Sequence, residues 1–205
     1  VTRRVRLLAG TSNLGKLWEI RRLLTGIPCD LIGLDDLPPV PEPEETGATF
    51  EANARIKAVA YAQATGLLTV AEDSGLVIDA LDGAPGIHSA RYLGAHATYP
   101  QRFEAILSAL SAHPERPRTA RFVCALAVAD GHQVLFETRG ALEGEIAAAP
   151  AGIHGFGYDP IFYVPELGCT TAEVDQDDKL AVAHRGQAFR MLAHWLSARA
   201  KNKGT

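Results

Sequence analysis

Two hydrophobic periods alternate along this chain. Short runs of apolar and β-branched residues, of strand length, are followed by stretches in which apolar residues return every three or four positions. Residues 4–9 predict a first strand that ends in small side chains. A glycine-bearing turn, Gly10-Thr11-Ser12-Asn13-Leu14-Gly15-Lys16, leads from it into a helix over 16–24, where Leu17, Ile20, Leu23 and Leu24 recur at helical spacing and Gly26 ends the run. A short strand over 29–34 gives way to a Pro- and acid-rich connector, 35–46, too rich in proline to be helical for long. Phe50, Ala54, Ala58, Tyr61 and Ala62 line one side of a helix over 49–65, and Gly66 stops it. Residues 67–71 read as a buried strand that runs into Glu72 and Asp73, with Ser74-Gly75 as the turn that ends it and 76–78 as a separate short strand. The loop over 82–91, shaped by glycines and a proline, is followed by a helix over 99–112. Residues 119–129 and 132–137 pair as a hairpin around Asp130-Gly131, the second strand continuing toward Ile146. A glycine-rich segment, 152–160, enters a strand over 161–164, and a helix over 177–200 closes the pattern. Strands alternating with helices, interrupted by a hairpin, predict an α/β fold with a mixed sheet.

The chemistry concentrates at Glu72-Asp73. In open α/β sheets ligands bind beyond the carboxyl ends of strands, so adjacent acids at such an end are placed to hold a divalent cation or activate a water. Acids in strand-ending turns are also common as plain solvated residues. The turn at 10–16 presents backbone N–H groups and a helix N-terminus to an anion, and Lys16 adds a point charge. Its spacing matches G-x-x-x-x-G-K of a P-loop, but Leu17 stands where Ser or Thr would hold magnesium. Asn53 and Lys57, four apart, share a helix face. In the segment 152–160, glycines allow close approach to a flat ligand; Phe156 either stacks on that ligand or tucks into the core.

Composition narrows the classes. With 205 residues the chain can bury a core without staples. Three cysteines far apart, Cys29, Cys124 and Cys169, form no C-x-x-C pair and read as buried small hydrophobes of a reducing compartment. The first nine residues carry too short an apolar run for a secretory signal, and no stretch reaches membrane-spanning length, so a cytoplasmic protein is expected. A net charge of −4 gives no field to draw in a nucleic-acid polymer, while a small polyanion held by local cations fits. A cationic turn, paired acids, an aromatic glycine loop and the late polar residues Lys179, His184 and Arg185 together suit a nucleoside triphosphate.

Beyond this reading, the chain resembles the inosine triphosphate pyrophosphatase family. The resemblance rests on Thr11 to Lys16, Glu44-Glu45-Thr46-Gly47-Ala48-Thr49-Phe50-Glu51-Ala52-Asn53-Ala54, Glu72-Asp73-Ser74-Gly75-Leu76, Gly83-Ala84-Pro85-Gly86-Ile87-His88-Ser89-Ala90-Arg91-Tyr92, Phe156-Gly157-Tyr158-Asp159-Pro160-Ile161-Phe162 and His184-Arg185-Gly186-Gln187-Ala188, in order over nearly the whole chain. It implies a single domain over 1–205 with a long mixed sheet, flanking helices forming two lobes around a central cleft, and a homodimer. It also implies Mg2+-dependent attack of water on the α-phosphorus of dITP, ITP or XTP, releasing pyrophosphate and the monophosphate. On that likeness Asp73 is the general base and a metal ligand, Glu45 the other metal ligand with Glu44 as its alternative, and Glu72 lies close by. Thr11, Ser12, Asn13, Leu14, Gly15, Lys16, Lys57 and Ser74 face the triphosphate. Phe156 stacks on the base within the binding segment that includes Gly157 and Tyr158, and Asp159, Lys179, His184 and Arg185 read its edge.

The chain departs from the family pattern at Ala183, where serine is usual, at Glu72 in place of the common bacterial Asp, and at Ser12, Ala52 and His154. Two other classes stay open on residues alone: a P-loop phosphohydrolase cutting at the γ-phosphate, and a non-catalytic nucleotide sensor.

Overall fold

A computed structural model describes residues 4–202; the first three residues of the basic N-terminal segment lie outside that range. Seven strands form one mixed sheet: β1 (Val5–Ala9), β2 (Cys29–Ile32), β3 (Leu68–Ile78), β4 (Thr119–Asp130), β5 (Gln133–Ile146), β6 (Phe162–Val164) and β7 (Cys169–Thr170), in the order β2-β1-β3-β4-β5-β6-β7. Parallel pairing joins β1 to β2 and β3, with Leu8 opposite Thr69 and Ala9 opposite Val70; β6 is antiparallel to β5 and β7. The helices are α1 (Leu14–Leu23), α2 (Phe50–Thr65), α3 (Tyr99–Ser111), α4 (Gln176–Val182) and α5 (His184–Asn202). The fold class expected from the hydrophobic periods is the one observed. Among the described residues, no helix is long and apolar enough to cross a membrane.

The chain divides into two compact units. The first takes the chain up to Asp73, Cys124–Gly140 and the chain from Arg185 onward. Its core joins Leu7 and Ala9 of β1, Leu17, Ile20 and Leu24 at α1, Val70 of β3, Leu126 and Val128 of β4, and Phe189, Leu192 and Leu196 of α5. The second comprises Ser74–Val123 and Ala141–His184. Leu76 and Ile78 pack there with Phe103, Ile106 and Leu110 of α3, Phe122, Tyr158, Ile161 and Phe162.

Several boundaries differ from expectation; β2 ends at Ile32, two residues early, and the short strand β7 was not expected. The strand does not stop at Glu72-Asp73: β3 runs on through Ser74 and Gly75 to Ile78. Acids end strands when they need water, and here buried cations take the place of water, so the backbone stays extended. Helix α1 begins two residues early because Asn13 caps it, its side chain accepting the N–H of Lys16 at 3.0 Å. The closing helix is two helices, broken at Ala183, whose extended backbone (φ −60°, ψ 151°) lies between α4 and α5. Of the cysteines, Cys29 and Cys124 are buried but Cys169 is only half-buried on the short strand β7.

Candidate active site

Strand geometry sends neighbouring side chains to opposite faces. On β3, Val70 and Glu72 share one face with α1 and α5, while Asp73 points to the other, toward α2. The two acids therefore serve different surroundings, although both are almost wholly buried, at 2% and 5% exposure.

Glu72 sits in a closed ion network. Arg185 at the start of α5 donates through Nε to Glu72 Oε1 at 2.7 Å and through its other terminal nitrogen to Oε2 at 3.4 Å, while its remaining terminal nitrogen bonds Glu19 of α1. The Cys124 thiol donates to Glu72 Oε2 at 2.9 Å, and the Lys16 ammonium stands 3.8 Å from Oε1. Burial alone would raise the Glu72 pKa, but the Arg185 and Lys16 charges overcome it and hold the carboxyl far below the usual carboxylate range. Burial and the Glu72 charge push the Cys124 thiol well above its ordinary value, so it stays protonated and donates.

Asp73 meets a different set. Its Oδ2 accepts the Asn53 side-chain amide at 3.0 Å, and its Oδ1 lies 3.5 Å from the Lys57 ammonium. Lys57 also donates to Glu45 Oε1 at 2.5 Å, so one buried ammonium ties the connector acid to the strand acid. Asn53 and Lys57 share the α2 face that their spacing predicts. Asn53 Oδ1 accepts the Gly47 N–H at 2.7 Å, which docks the connector and brings Glu45 inward, while Glu44 is exposed. Burial raises the Asp73 pKa, with Lys57 and Asn53 opposing and Glu45 adding to the rise. Burial would lower that of Lys57, but the Asp73, Glu45 and Glu72 carboxylates raise it. Among the described residues no three His, Cys, Asp or Glu converge as ligands. Two carboxylates fit a hard divalent cation that keeps water and phosphate in its other positions.

The turn between β1 and α1 belongs to the same unit. Thr11 Oγ1 accepts the N–H of Asn13 at 3.2 Å, Ser12 donates to Glu42 of the connector at 3.4 Å, and Leu14 is 70% exposed. A side chain on Gly10 would meet the Tyr61 ring at 2.7 Å, which requires glycine where β1 passes α2. Leu17, the residue that breaks the P-loop pattern, is a core residue.

The late residues fall in both units. In the second unit Lys179 of α4 donates to Asp159 Oδ2 at 2.6 Å and stands 5.2 Å from the centroid of the half-buried Phe156 ring. His184 stacks on Phe122, with centroids 5.0 Å apart and planes 24° apart. Of the two aromatics in the glycine loop, Phe156 stays outside the core cluster. Tyr158 enters it, its ring edge-on to Tyr99 and its hydroxyl donating to the Ser89 carbonyl at 2.9 Å. Gly157 (φ +67°) and Ser74 are half-buried. Arg185, expected beside Lys179 and His184, gives its guanidinium to Glu72 and Glu19.

Sequence reasoning missed Glu19, Cys124 and Thr171, all buried polar partners of the named residues. The alternation of β3 held a signal for the first two, since it puts Glu72 on the α1 and α5 face. Nothing in residue type marks Thr171.

The model of the Ham1 family matches residues 7–195. A dITP/XTP pyrophosphatase of Geobacter sulfurreducens is 47% identical over 187 residues, covering 91% of this chain and 94% of that protein. One of Streptomyces coelicolor is 46% identical over 191 residues, 91% and 94% of the two chains. Among solved structures, a HAM1 protein from Coxiella burnetii superposes with a TM-score of 0.86 at 42% identity, over 95% of this chain and 99% of that one. With the mixed sheet, the Asn13-capped turn into α1 and the Glu45–Lys57–Asp73 arrangement, these likenesses place the chain in the Ham1 family.

Proposed function

We propose that the protein hydrolyses deaminated purine nucleoside triphosphates, dITP, ITP and XTP, to the monophosphate and pyrophosphate, removing them from the cytoplasmic nucleotide pool. The observation that carries this reading is the meeting of Glu45 and Asp73 on the Lys57 ammonium, in a chain whose relatives are named dITP/XTP pyrophosphatases.

Asp73 is the general base. Its burial-raised pKa makes it a better proton acceptor than an exposed aspartate, and Asn53 fixes the orientation of the carboxylate. Water loses its proton to Asp73 as its oxygen bonds the α-phosphorus, and the bond from that phosphorus to the bridging oxygen breaks to release pyrophosphate. Glu45 and Asp73 would hold Mg2+, which supplies positive charge to the phosphates. Lys16, the backbone of residues 11–16, Lys57 and Ser74 would face the triphosphate. Phe156 stacks on the base, and Lys179 and His184 present donors to its edge. Such donors favour a 6-oxo purine over adenine, whose 6-amino group would meet them donor to donor. The P-loop reading is disfavoured by Leu17, which packs in the core where magnesium would need a hydroxyl. We also expect a homodimer, which light scattering would test.

Product analysis decides the reaction. With dITP and Mg2+, ion-exchange chromatography should resolve dIMP and pyrophosphate, with little turnover of dGTP or dATP. Release of dIDP and orthophosphate would overturn the assignment in favour of γ-phosphate cleavage, and binding without turnover would leave a sensor.

A further inference from the structure

The glycine loop that carries Phe156 is tied down by the segment that follows β7. The Ala172 carbonyl accepts two consecutive N–H groups, from Ile153 at 3.0 Å and His154 at 2.9 Å. One residue earlier, Thr171 Oγ1 donates to Asp159 Oδ1 at 2.9 Å and lies 3.2 Å from the Asp159 carbonyl oxygen. The other carboxylate oxygen of Asp159 accepts the Phe156 N–H at 2.8 Å and the Lys179 ammonium at 2.6 Å. That ammonium is the cation 5.2 Å from the Phe156 ring centroid. Thr171, Asp159 and Lys179 are 0%, 2% and 4% exposed. The loop wraps the carboxylate closely: Gly155 has φ +74°, and a Cβ there would lie 2.1 Å from Asp159 Oδ2.

We infer that Thr171 and Asp159 are positioning residues for the base-stacking ring of Phe156. The inference rests on the nucleoside triphosphate reading above. A carboxylate has room for about four hydrogen bonds, and here a hydroxyl, a backbone amide and an ammonium take its two oxygens. Charge-assisted bonds of this kind fix their donors in place. Asp159 thus holds Phe156 at its backbone and, through Lys179, beside its ring. Thr171 sets the rotation of the carboxylate on which both contacts depend. A stacking surface already fixed before the base arrives loses less freedom on binding. Loosening it should weaken the hold on the base and leave the chemistry at the α-phosphorus intact.

Thr171→Val removes the hydroxyl at nearly constant volume. For dITP we expect KM to rise roughly tenfold, the size of one lost hydrogen bond to a charged group, with kcat within about twofold. Inorganic tripolyphosphate, which has no base to stack, should inhibit wild type and variant with the same constant. Thr171→Ser keeps the hydroxyl and should restore the wild-type KM. If Thr171→Val fails to fold, Thr171→Ala removes the same donor without placing a methyl beside the carboxylate, and carries the same expectation. An unchanged KM for dITP would overturn the inference. So would equal weakening of dITP and tripolyphosphate, which would mark Thr171 as a general packing residue. A wild-type protein that does not cleave dITP would overturn the functional reading as well, which separates the two failures.

Discussion

Burial raises the basicity of Asp73 while Lys57 and Asn53 oppose that rise and fix its carboxylate, the balance that the proposed general base calls for. Asp73→Asn keeps the shape and can still accept from Asn53, but has no proton affinity to offer. Pyrophosphate release from dITP should fall by on the order of a hundredfold or more, while nucleotide binding measured by calorimetry is largely retained. Its neighbour Glu72 holds a charge for the fold. Glu72→Gln would take a carboxylate charge away from the buried Arg185, so we expect a loss of about 3 kcal/mol in urea unfolding. Because the folded pKa of Glu72 lies below its unfolded value, its stabilising contribution is present at neutral pH. It is lost only as pH falls through the acid range toward the depressed folded value.

At the level of elements, the connector before α2 works through one close contact. A Cβ on Gly47 would lie 2.6 Å from Asn53 Oδ1 and 2.9 Å from the Asn53 backbone nitrogen, and neither neighbour is free to swing away. Gly47→Ala should lift the connector and with it Glu45, so that the Mg2+ concentration for half-maximal activity rises while thermal stability changes little; a Mg2+ titration of dITP turnover measures this. The helix positions, the β4–β5 hairpin and the shared face of Asn53 and Lys57 were legible in the sequence, because each follows from a local period or turn residue. The continuation of β3 was not. Ser74-Gly75 is turn chemistry by composition, and what overrides it is charge compensation from residues as distant as Lys57 and Arg185. The break at Ala183 was hidden for a similar reason: alanine favours helix, and its extended backbone answers to tertiary packing.

For the molecule as a whole, alkaline pH should be the vulnerable side. Burial pushes Tyr61 up to about 12 from 10.0, and the carboxylates around Lys57 raise it as well. Both groups bind more protons in the folded state than in the unfolded one above pH 10, so stability falls as pH rises through that region. Melting temperatures measured from pH 8 upward should drop beyond pH 10, and Tyr61→Phe should flatten part of that drop. The protein is also negatively charged overall, at −4, yet must admit a polyanion. The buried network at Glu72 bears on that encounter. Lys16, Arg185, Glu72 and Glu19 together are electrically neutral, and the firm bond between Arg185 and Glu72 leaves Lys16 as the loosely held cation at the turn between β1 and α1. Arg185→Gln would turn Glu72 from a satisfied anion into a competitor for Lys16. The approach of a triphosphate would then be repelled at short range, and added salt, which screens such repulsion over about 8 Å at physiological strength, should speed association in the variant more than in wild type.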